Sequence, residues 1–485
     1  MNLPNLSKSN NLKILNKNNL IKNNYDEGTS SNNKNNNFIN HNINLNILKR
    51  KENPVFFIKF KKYRRTDFNN KIIASIQNMV PNNYIQAINC KDHLLWEQAM
   101  DDELCNFYDN NIMIFVKHVP KGKRILTLIW IYTNKINRAG IVIKHKVRIV
   151  AQGFRQLFGV DFFQTFAPTL NIDGLKLIIA IASKFKWHIF QLDIKDAYLN
   201  AKIETEIYTT IPHGDANFGK GYWKLRKALY RLKQSGRQWY LTTSEFLIEQ
   251  GFIQLSSEKC IFKKNVNGKL VCIIALYVDD MVIAGLIKEI SNIINKIKQK
   301  FKISKCEPIN YILGIIIEKN NFNYSIFQKH FINIILNKFN INNMRKVTTP
   351  CVGDNIISEN NDPYDKTTYK SAIGMLIFLS KASRPDISFA VHKAARNSEN
   401  PTITDWRKVE NILKYLNSTI YYKITYDGQG DIVAYTDSDF AGDIKDRKST
   451  SGHIILLGNN PISWMSKKQS IVATSTAEAE YISAS

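Results

Sequence analysis

Uncharged apolar runs of strand length recur along this chain, and one pair of them brackets two adjacent acids. Val271-Cys-Ile-Ile-Ala-Leu-Tyr-Val278 and Met281-Val-Ile-Ala-Gly285 both read as buried strands, which places Asp279 and Asp280 at the tip of a hairpin. Further upstream, Ile125 to Tyr132 and Val142 to Ala151 read as strands joined by the turn Asn137-Arg-Ala-Gly140. His188 to Ile194 reads as a strand that carries an acid, Asp193, near its end, with a short helical turn following at Ala197 to Lys202. Helical spacing marks Trp96 to Leu104, a helix capped by Asp173 with Leu175, Leu177, Ile178, Ile181 and Ala182 on its apolar face, an amphipathic helix over Leu229 to Glu249, and another over Glu289 to Phe301. Ile312 to Glu318 reads as one more strand.

The pattern divides the chain. Residues 1–75 are rich in Asn and Lys, poor in aromatics and without a sustained period, so this segment reads as disordered. Residues 76–340 form an α+β domain, and 341–431 a helical, linking segment. Within 432–485, strands are expected at Ile432 to Thr436, Ile454 to Leu457 and Ile462 to Trp464, the last two joined by Gly458-Asn-Asn460, with a helix from Ser475.

Charge narrows the partners. With 67 Lys+Arg against 41 Asp+Glu the net charge is +26, which favours a polyanion such as nucleic acid, or an anionic membrane surface. No apolar run approaches the roughly 18 residues of a membrane span, and no secretory signal begins the chain. Cys90, Cys105, Cys260, Cys272, Cys306 and Cys351 are scattered without a C-x-x-C pair, so they read as buried thiols and neither a disulfide frame nor a zinc site.

Adjacent carboxylates among apolar residues repel each other, and a divalent ion makes such a pair tolerable. The plain alternative is a solvated hairpin turn. Asp193 supplies a third acid, with a helix N-cap as its own plain alternative. Here motifs decide. Gln191-Leu-Asp-Ile-Lys-Asp-Ala-Tyr-Leu-Asn200, Leu229-Tyr-Arg-Leu-Lys-Gln-Ser-Gly-Arg-Gln-Trp-Tyr240 and Leu276-Tyr-Val-Asp-Asp-Met-Val-Ile-Ala-Gly285 resemble, in order and spacing, the reverse transcriptase of copia-type LTR retrotransposons. The resemblance extends through Lys146-Val-Arg-Ile-Val-Ala-Gln-Gly-Phe154, Asp161-Phe-Phe-Gln-Thr-Phe-Ala-Pro168, Tyr311-Ile-Leu-Gly-Ile315, Tyr369-Lys-Ser-Ala-Ile-Gly374, Ser383-Arg-Pro-Asp-Ile387 and Tyr435-Thr-Asp-Ser-Asp-Phe-Ala-Gly-Asp443.

What the resemblance implies is an RNA-directed DNA polymerase with a right-hand fold of fingers, palm and thumb, then a connection segment and a truncated ribonuclease H-like α/β domain. Asp193, Asp279 and Asp280 match catalytic acids that bind two Mg²⁺, or Mn²⁺. Tyr198 matches the aromatic gate that selects dNTPs. Lys146 and Arg148 match a triphosphate-holding strand, a solvated face being the alternative. Leu313, Gly314 and Ile315 resemble a primer-grip strand in which glycine admits the nucleic-acid backbone, against an ordinary strand glycine. The implied partners are an RNA template, a DNA or RNA primer, dNTPs and other polyprotein segments. The implied location is the cytoplasm and virus-like particles, with a nuclear stage.

The C-terminal blocks Asp446-Arg-Lys-Ser-Thr-Ser-Gly452, Ile462-Ser-Trp464 and Ser475-Thr-Ala-Glu-Ala-Glu-Tyr481 resemble the ribonuclease H of the same polyproteins. Asp437 matches its first metal ligand. Ser475 and Glu478 fit a capping box, and Glu480 lies roughly 200° away on the wheel, so Glu480 is the second expected ligand. Two later acids of that site would fall beyond Ser485, and ribonuclease H activity is expected to be lost. Two positions depart from the family: Arg231 stands where glycine is usual and Gly236 where proline is usual. Arg231 is expected to crowd the template. A catalytically inactive nucleic-acid-binding remnant is therefore the second reading.

Overall fold

In this computed structural model residues 80–136, 141–341, 345–351 and 360–485 are described. Segment 1–75 and the turn expected at Asn137–Gly140 lie outside the described residues. The α+β reading holds for the rest.

An antiparallel six-stranded sheet is the frame of the candidate site. Its strands run, in spatial order, Ile303–Pro308, His188–Ile194, Asp280–Gly285, Lys269–Tyr277, Ile261–Val266 and Ile253–Gln254. The central strands are uninterrupted apolar runs because both of their faces are covered: Ile273, Ile274, Ala275, Leu276, Met281, Val282, Ile283 and Ala284 are all buried. Helix Ile287–Lys300 shows how cover is achieved. Ile290, Ile293, Ile294 and Ile297 share one face and are buried, while Lys288, Lys298 and Lys300 are exposed. Each isoleucine so buried stabilises the fold by roughly 2 kcal/mol before entropy is charged against it.

A second core surrounds Trp96, Phe107, Ile149 and Trp223. It joins helix His93–Asp109 to the antiparallel hairpin Leu128–Ile136 and Val142–Ala151, and to a four-stranded sheet of Met113–Val116, Tyr222–Leu225, Tyr208–Thr210 and Ile125–Leu126. The single strand expected over Ile125 to Tyr132 is thus two. Ile125–Leu126 pairs in parallel with Tyr208–Thr209, and the chain then switches partner to Val142–Ala151.

Helices Lys329–Lys338, Lys366–Ala382, Ser388–Ala395 and Ile403–Ser418 share a third core. Arg384 is fully buried beside it, donating to both oxygens of Asp386 and to the Thr419 carbonyl at 3.1 Å. Its charge is paired and hydrogen-bonded, which is the condition for burying it. The C-terminal sheet is Ile432–Ser438, Thr450–Leu457 and Asn460–Lys468, with helix Thr476–Ala484 against its first strand. Its expected hairpin is present, with Leu457 opposite Asn460 and Gly458 at φ +63°.

Further expectations are corrected. The cap of helix Ile172–Lys184 is Asn171, whose side chain accepts from the Gly174 N–H at 2.6 Å; Asp173 lies inside the first turn and pairs with Lys176 at 2.8 Å. The helix expected from Leu229 begins only at Ser235, because Arg231 has φ +70° and breaks the spiral. Ile312 to Glu318 is not one strand: Tyr311–Ile312 and Ile315–Asn320 fold back on each other through Leu313 (φ +52°) and Gly314 (φ +78°). All six cysteines are free, but only Cys260 and Cys272 are buried, with Cys105 and Cys306 exposed. Among the described residues no helix is long and apolar enough to cross a membrane.

Candidate active site

Tyr277 pairs with Asp280, so the hairpin loop consists of Val278 and Asp279, and Asp280 is the first residue of the returning strand. Val278 has φ +55°. Two-residue hairpins with a left-handed first residue ordinarily place glycine there, and a β-branched side chain in that conformation costs about 1–2 kcal/mol. Neighbours hold the loop against this strain. Trp239 Nε1 donates to the Val278 carbonyl at 2.8 Å, and the Ile194 N–H donates to the Asp279 carbonyl at 3.2 Å.

Strand His188–Ile194 inserts between Asp280–Gly285 and Ile303–Pro308, and its register sets Asp193 directly opposite Asp280. The three acids expected to act together are therefore neighbours, though far apart in sequence. Asp193 accepts a hydrogen bond from the Ser304 hydroxyl. Asp280 accepts one from Gln191 Nε2 at 3.2 Å. Asp279 Oδ1 is buried and has no hydrogen-bond partner.

Burial, with Asp193, Asp280 and Asp196 nearby, pushes the Asp279 carboxyl up to about 7 against the opposing charge of Arg148. Asp280 is also raised, chiefly by burial and then by Asp193, while Gln191 and Lys305 oppose the shift. A buried, unbonded carboxylate oxygen beside two more carboxylates is a poor arrangement for stability but a suitable donor set for a hard divalent cation such as Mg²⁺. As they stand, no group of three or more His, Cys, Asp and Glu side chains among the described residues is placed to hold a metal ion. Two of the acids are instead turned toward the neutral donors Ser304 and Gln191.

Aromatic rings and cations surround the acids. Tyr198 stands on the turn Ala197–Asn200, after Asp196 in a left-handed conformation (φ +52°), and meets Tyr230 edge-to-face at 5.1 Å between centroids. Burial and the Asp279 charge raise the Tyr198 hydroxyl, so it stays protonated. The Arg148 guanidinium lies 4.9 Å from the Tyr230 ring centroid, a cation–π contact that holds it toward Asp279. Lys146 and Arg148 share one face of Val142–Ala151, with buried Val147 on the other.

Three further residues complete the site. Tyr230 links Tyr198 to Arg148, Trp239 props the loop, and Glu103 accepts the Ile149 N–H at 3.3 Å. Burial, and then Asp196, push Glu103 up to about 7, against Ile149, Arg148 and Lys146. Glu103 was findable: it falls three residues after Met100 and four before Phe107, on the apolar stripe of its helix.

The remaining expected residues lie elsewhere. Leu313 and Gly314 form a turn in a separate four-stranded sheet; a Cβ on Gly314 would meet the Phe378 ring at 3.2 Å, so the glycine answers to φ and to a neighbouring helix. Arg231 is exposed, while its backbone carbonyl packs where a Cβ on Gly153 would stand. Asp437 and Glu480 are both exposed. Helix Thr476–Ala484 lies on the strand of Asp437, with Ser483 Oγ donating to the Asp437 carbonyl at 2.7 Å; Glu480, three residues earlier, shares that helix face. The Ser475 side chain caps the Glu478 N–H at 3.1 Å, but the Glu478 carboxylate returns to Thr474 and so leaves the expected capping box half formed.

Residues 110–353, half of the chain, match the family model described as reverse transcriptase (RNA-dependent DNA polymerase). The retrovirus-related Pol polyprotein from transposon TNT 1-94 of Nicotiana tabacum is 33% identical over 451 residues, which cover 90% of this chain and 33% of that protein. The retrovirus-related Pol polyprotein from transposon RE1 of Arabidopsis thaliana is 33% identical over 409 residues, 83% of this chain and 28% of that protein. The transposon TyH3 Gag-Pol polyprotein of Saccharomyces cerevisiae is 28% identical over 384 residues, 74% of this chain and 21% of that protein. The chain thus spans a third or less of the length of these curated relatives. It belongs to the reverse transcriptase (RNA-dependent DNA polymerase) family and is similar to copia-like transposon Pol polyproteins.

Proposed function

We propose that this chain is an RNA-directed DNA polymerase of a copia-type retrotransposon, joining dNTPs to a primer 3′-hydroxyl along an RNA template. One observation carries the reading: strand register sets Asp193 opposite Asp280 and leaves Asp279 beside them with a buried, unbonded oxygen. In this reading the six-stranded sheet is the palm, and the hairpin Leu128–Ala151 with helix His93–Asp109 belongs to the fingers. The thumb precedes residue 340, the connection segment follows, and the C-terminal sheet is ribonuclease H-like.

Asp193, Asp279 and Asp280 would hold Mg²⁺, for which Mn²⁺ could substitute. Ions held there would supply acidification of the primer hydroxyl and neutralisation of the triphosphate charge. The protein's residues do the rest. Ser304 and Gln191 orient Asp193 and Asp280. Lys146 and Arg148 bind triphosphate oxygens, with the Tyr230 ring keeping Arg148 in place. The Tyr198 ring, braced by Tyr230, stands under the sugar where a 2′-hydroxyl would clash. Asp437 and Glu480 are assigned to the ribonuclease H-like part. Two carboxylates alone hold a hard cation weakly, so residues 432–485 by themselves are expected to lack that activity.

The test is dNTP incorporation on a homopolymer template–primer with Mg²⁺ or Mn²⁺, with Asp279→Asn as control. Incorporation by the wild type and its loss in the variant support the enzyme. Equal, negligible incorporation with retained template–primer binding supports the second reading, an inactive nucleic-acid-binding remnant, which the strained Arg231 favours. In the active case Tyr198→Ala is expected to lose roughly tenfold or more of its preference for dNTPs over rNTPs.

A further inference from the structure

Helix His93–Asp109 reaches the turn that carries Tyr198 through a single amide. Asn106 Nδ2 donates to Asp196 Oδ2 at 3.2 Å. The amide is oriented from behind. Asn110 Nδ2 donates to Asn106 Oδ1 at 2.7 Å, which leaves the Asn106 NH₂ group to face Asp196. Glu103, three residues earlier and on the same helix face, accepts the Ile149 N–H beside Arg148 at 3.3 Å. The helix is locked in place, because Trp96, Met100, Leu104 and Phe107 are buried in its core.

Asp196 has reason to need this partner. Its backbone is left-handed, at φ +52°, and it stands at the cap of the turn Ala197–Asn200 without making a capping hydrogen bond. An acid in that place ordinarily accepts from the N–H groups of its own turn, and here the carboxylate goes to the helix instead. From the far end of the turn, Asn200 Nδ2 donates to the Asp196 carbonyl at 3.1 Å. The turn also straddles two cores: Ala197 packs with the six-stranded sheet and Leu199 with the helix. Tyr198 lies between these anchors with its ring against Tyr230, which in turn meets Arg148. One helix thus touches both halves of the candidate nucleotide site, the strand of Arg148 through Glu103 and the turn of Tyr198 through Asn106.

We propose that Asn106 is a positioning residue for sugar selection: through Asp196 it fixes the Tyr198 ring under the nucleotide, at a spacing from Arg148 set by the same helix. The inference rests on the polymerase reading and on its placing of Tyr198 beneath the sugar. A clash with a single 2′-oxygen discriminates only while the ring cannot yield, and one turn of 3₁₀ helix has few bonds of its own to hold it. The competing account is a plain brace between two elements. That account predicts lost stability with sugar preference intact.

The test uses the full chain on an RNA template–primer ended with a dideoxynucleotide, so that nucleotides bind without being joined. Affinities for dATP and ATP opposite a template uridine are compared in Mg²⁺ for wild type, Asn106→Ala, Asn106→Asp and Asn106→Asp/Asp196→Asn. Asn106→Asp sets two carboxylates against each other. The double variant exchanges donor and acceptor, so it keeps the bond, the net charge and a residue that tolerates the left-handed conformation. Preference for dATP is expected to fall roughly fivefold or more in each single variant and to return to within about twofold of wild type in the double variant. Asn106→Ala, which adds no second charge, covers the case that Asn106→Asp does not fold. Unchanged preference in the single variants overturns the inference even if their melting temperatures fall, and so does a loss that the double variant leaves unrestored. A wild type that binds neither nucleotide sinks the polymerase reading and this inference together, whereas a discriminating wild type with equally discriminating variants sinks only the inference.

Discussion

Lys176 Nζ lies 3.4 Å from the centroid of the Trp464 ring, joining the first turns of helix Ile172–Lys184 to the C-terminal hairpin. The lysine is 1% exposed, salt-bridged to Asp173 at 2.8 Å, and donates to the Lys381 carbonyl at 3.2 Å. Trp464 Nε1 in turn donates to the Ser380 carbonyl at 2.8 Å. One buried cation thus fastens three segments.

Burial lowers the Lys176 ammonium to about 8, against the raising effect of Asp173 and with a smaller contribution from Lys381. An unfolded lysine titrates near 10.4, so between these values the unfolded chain holds a proton that the folded chain has released, and stability rises with pH. Denaturant melts of wild type and Lys176→Met at pH 7.5 and pH 10.5 are expected to differ by about 1–3 kcal/mol in the wild type's favour at the higher pH. A difference independent of pH contradicts this.

Asp279→Asn removes a buried carboxylate that has an unbonded oxygen and two acidic neighbours. In metal-free buffer this variant is expected to melt at a higher temperature than the wild type, a gain of about 1 kcal/mol or more, while dNTP incorporation falls by at least a thousandfold. A destabilised variant would mean that Asp279 makes structural bonds.

Arg231 occupies a left-handed conformation on an exposed loop, so Arg231→Gly is expected to stabilise by about 0.5–1 kcal/mol. Gly236 is the second residue of its helix, and a Cβ there would meet Ala167 only at 3.8 Å, an ordinary contact. Gly236→Pro is therefore expected to add a similar amount by restricting the unfolded chain. The urea midpoint should rise with the slope unchanged. Lower midpoints would show that these family departures are compensated elsewhere.

Asp443 is salt-bridged to Arg396 and Lys468, both at 2.9 Å. Burial would raise its carboxyl, but Lys468, the Lys445 N–H and Arg396 together hold it down to about 2. The stabilisation is complete above the unfolded value near 3.9 and is lost as pH falls toward 2. Asp443→Asn is expected to cost about 1–2 kcal/mol at pH 7 and almost nothing at pH 2 by thermal melts. A constant cost would assign the residue's role to packing.

The Asp279–Asp280 hairpin was legible because its flanks are unbroken apolar runs, which only a strand covered on both faces can use. The helix Ile287–Lys300 and the Gly458 turn were legible for equally local reasons. Elsewhere a neighbour remote in sequence decides. Ile125–Leu126 left its expected strand to pair with Tyr208–Thr209, and Leu313-Gly314 turned back on itself under the ring of Phe378. Arg231 delays the start of a helix to Ser235, its left-handed backbone setting its carbonyl against Gly153.

Residue type and order alone determined the α+β class and the reverse transcriptase family, since motifs and periodicity are properties of the chain itself. Only the tertiary structure decided that Asp193 faces Asp280, that Asp279 is left with an unbonded buried oxygen, and that Tyr230 couples Tyr198 to Arg148. Each of these depends on strand register and on which groups burial takes away from water, and neither is a property of any single segment.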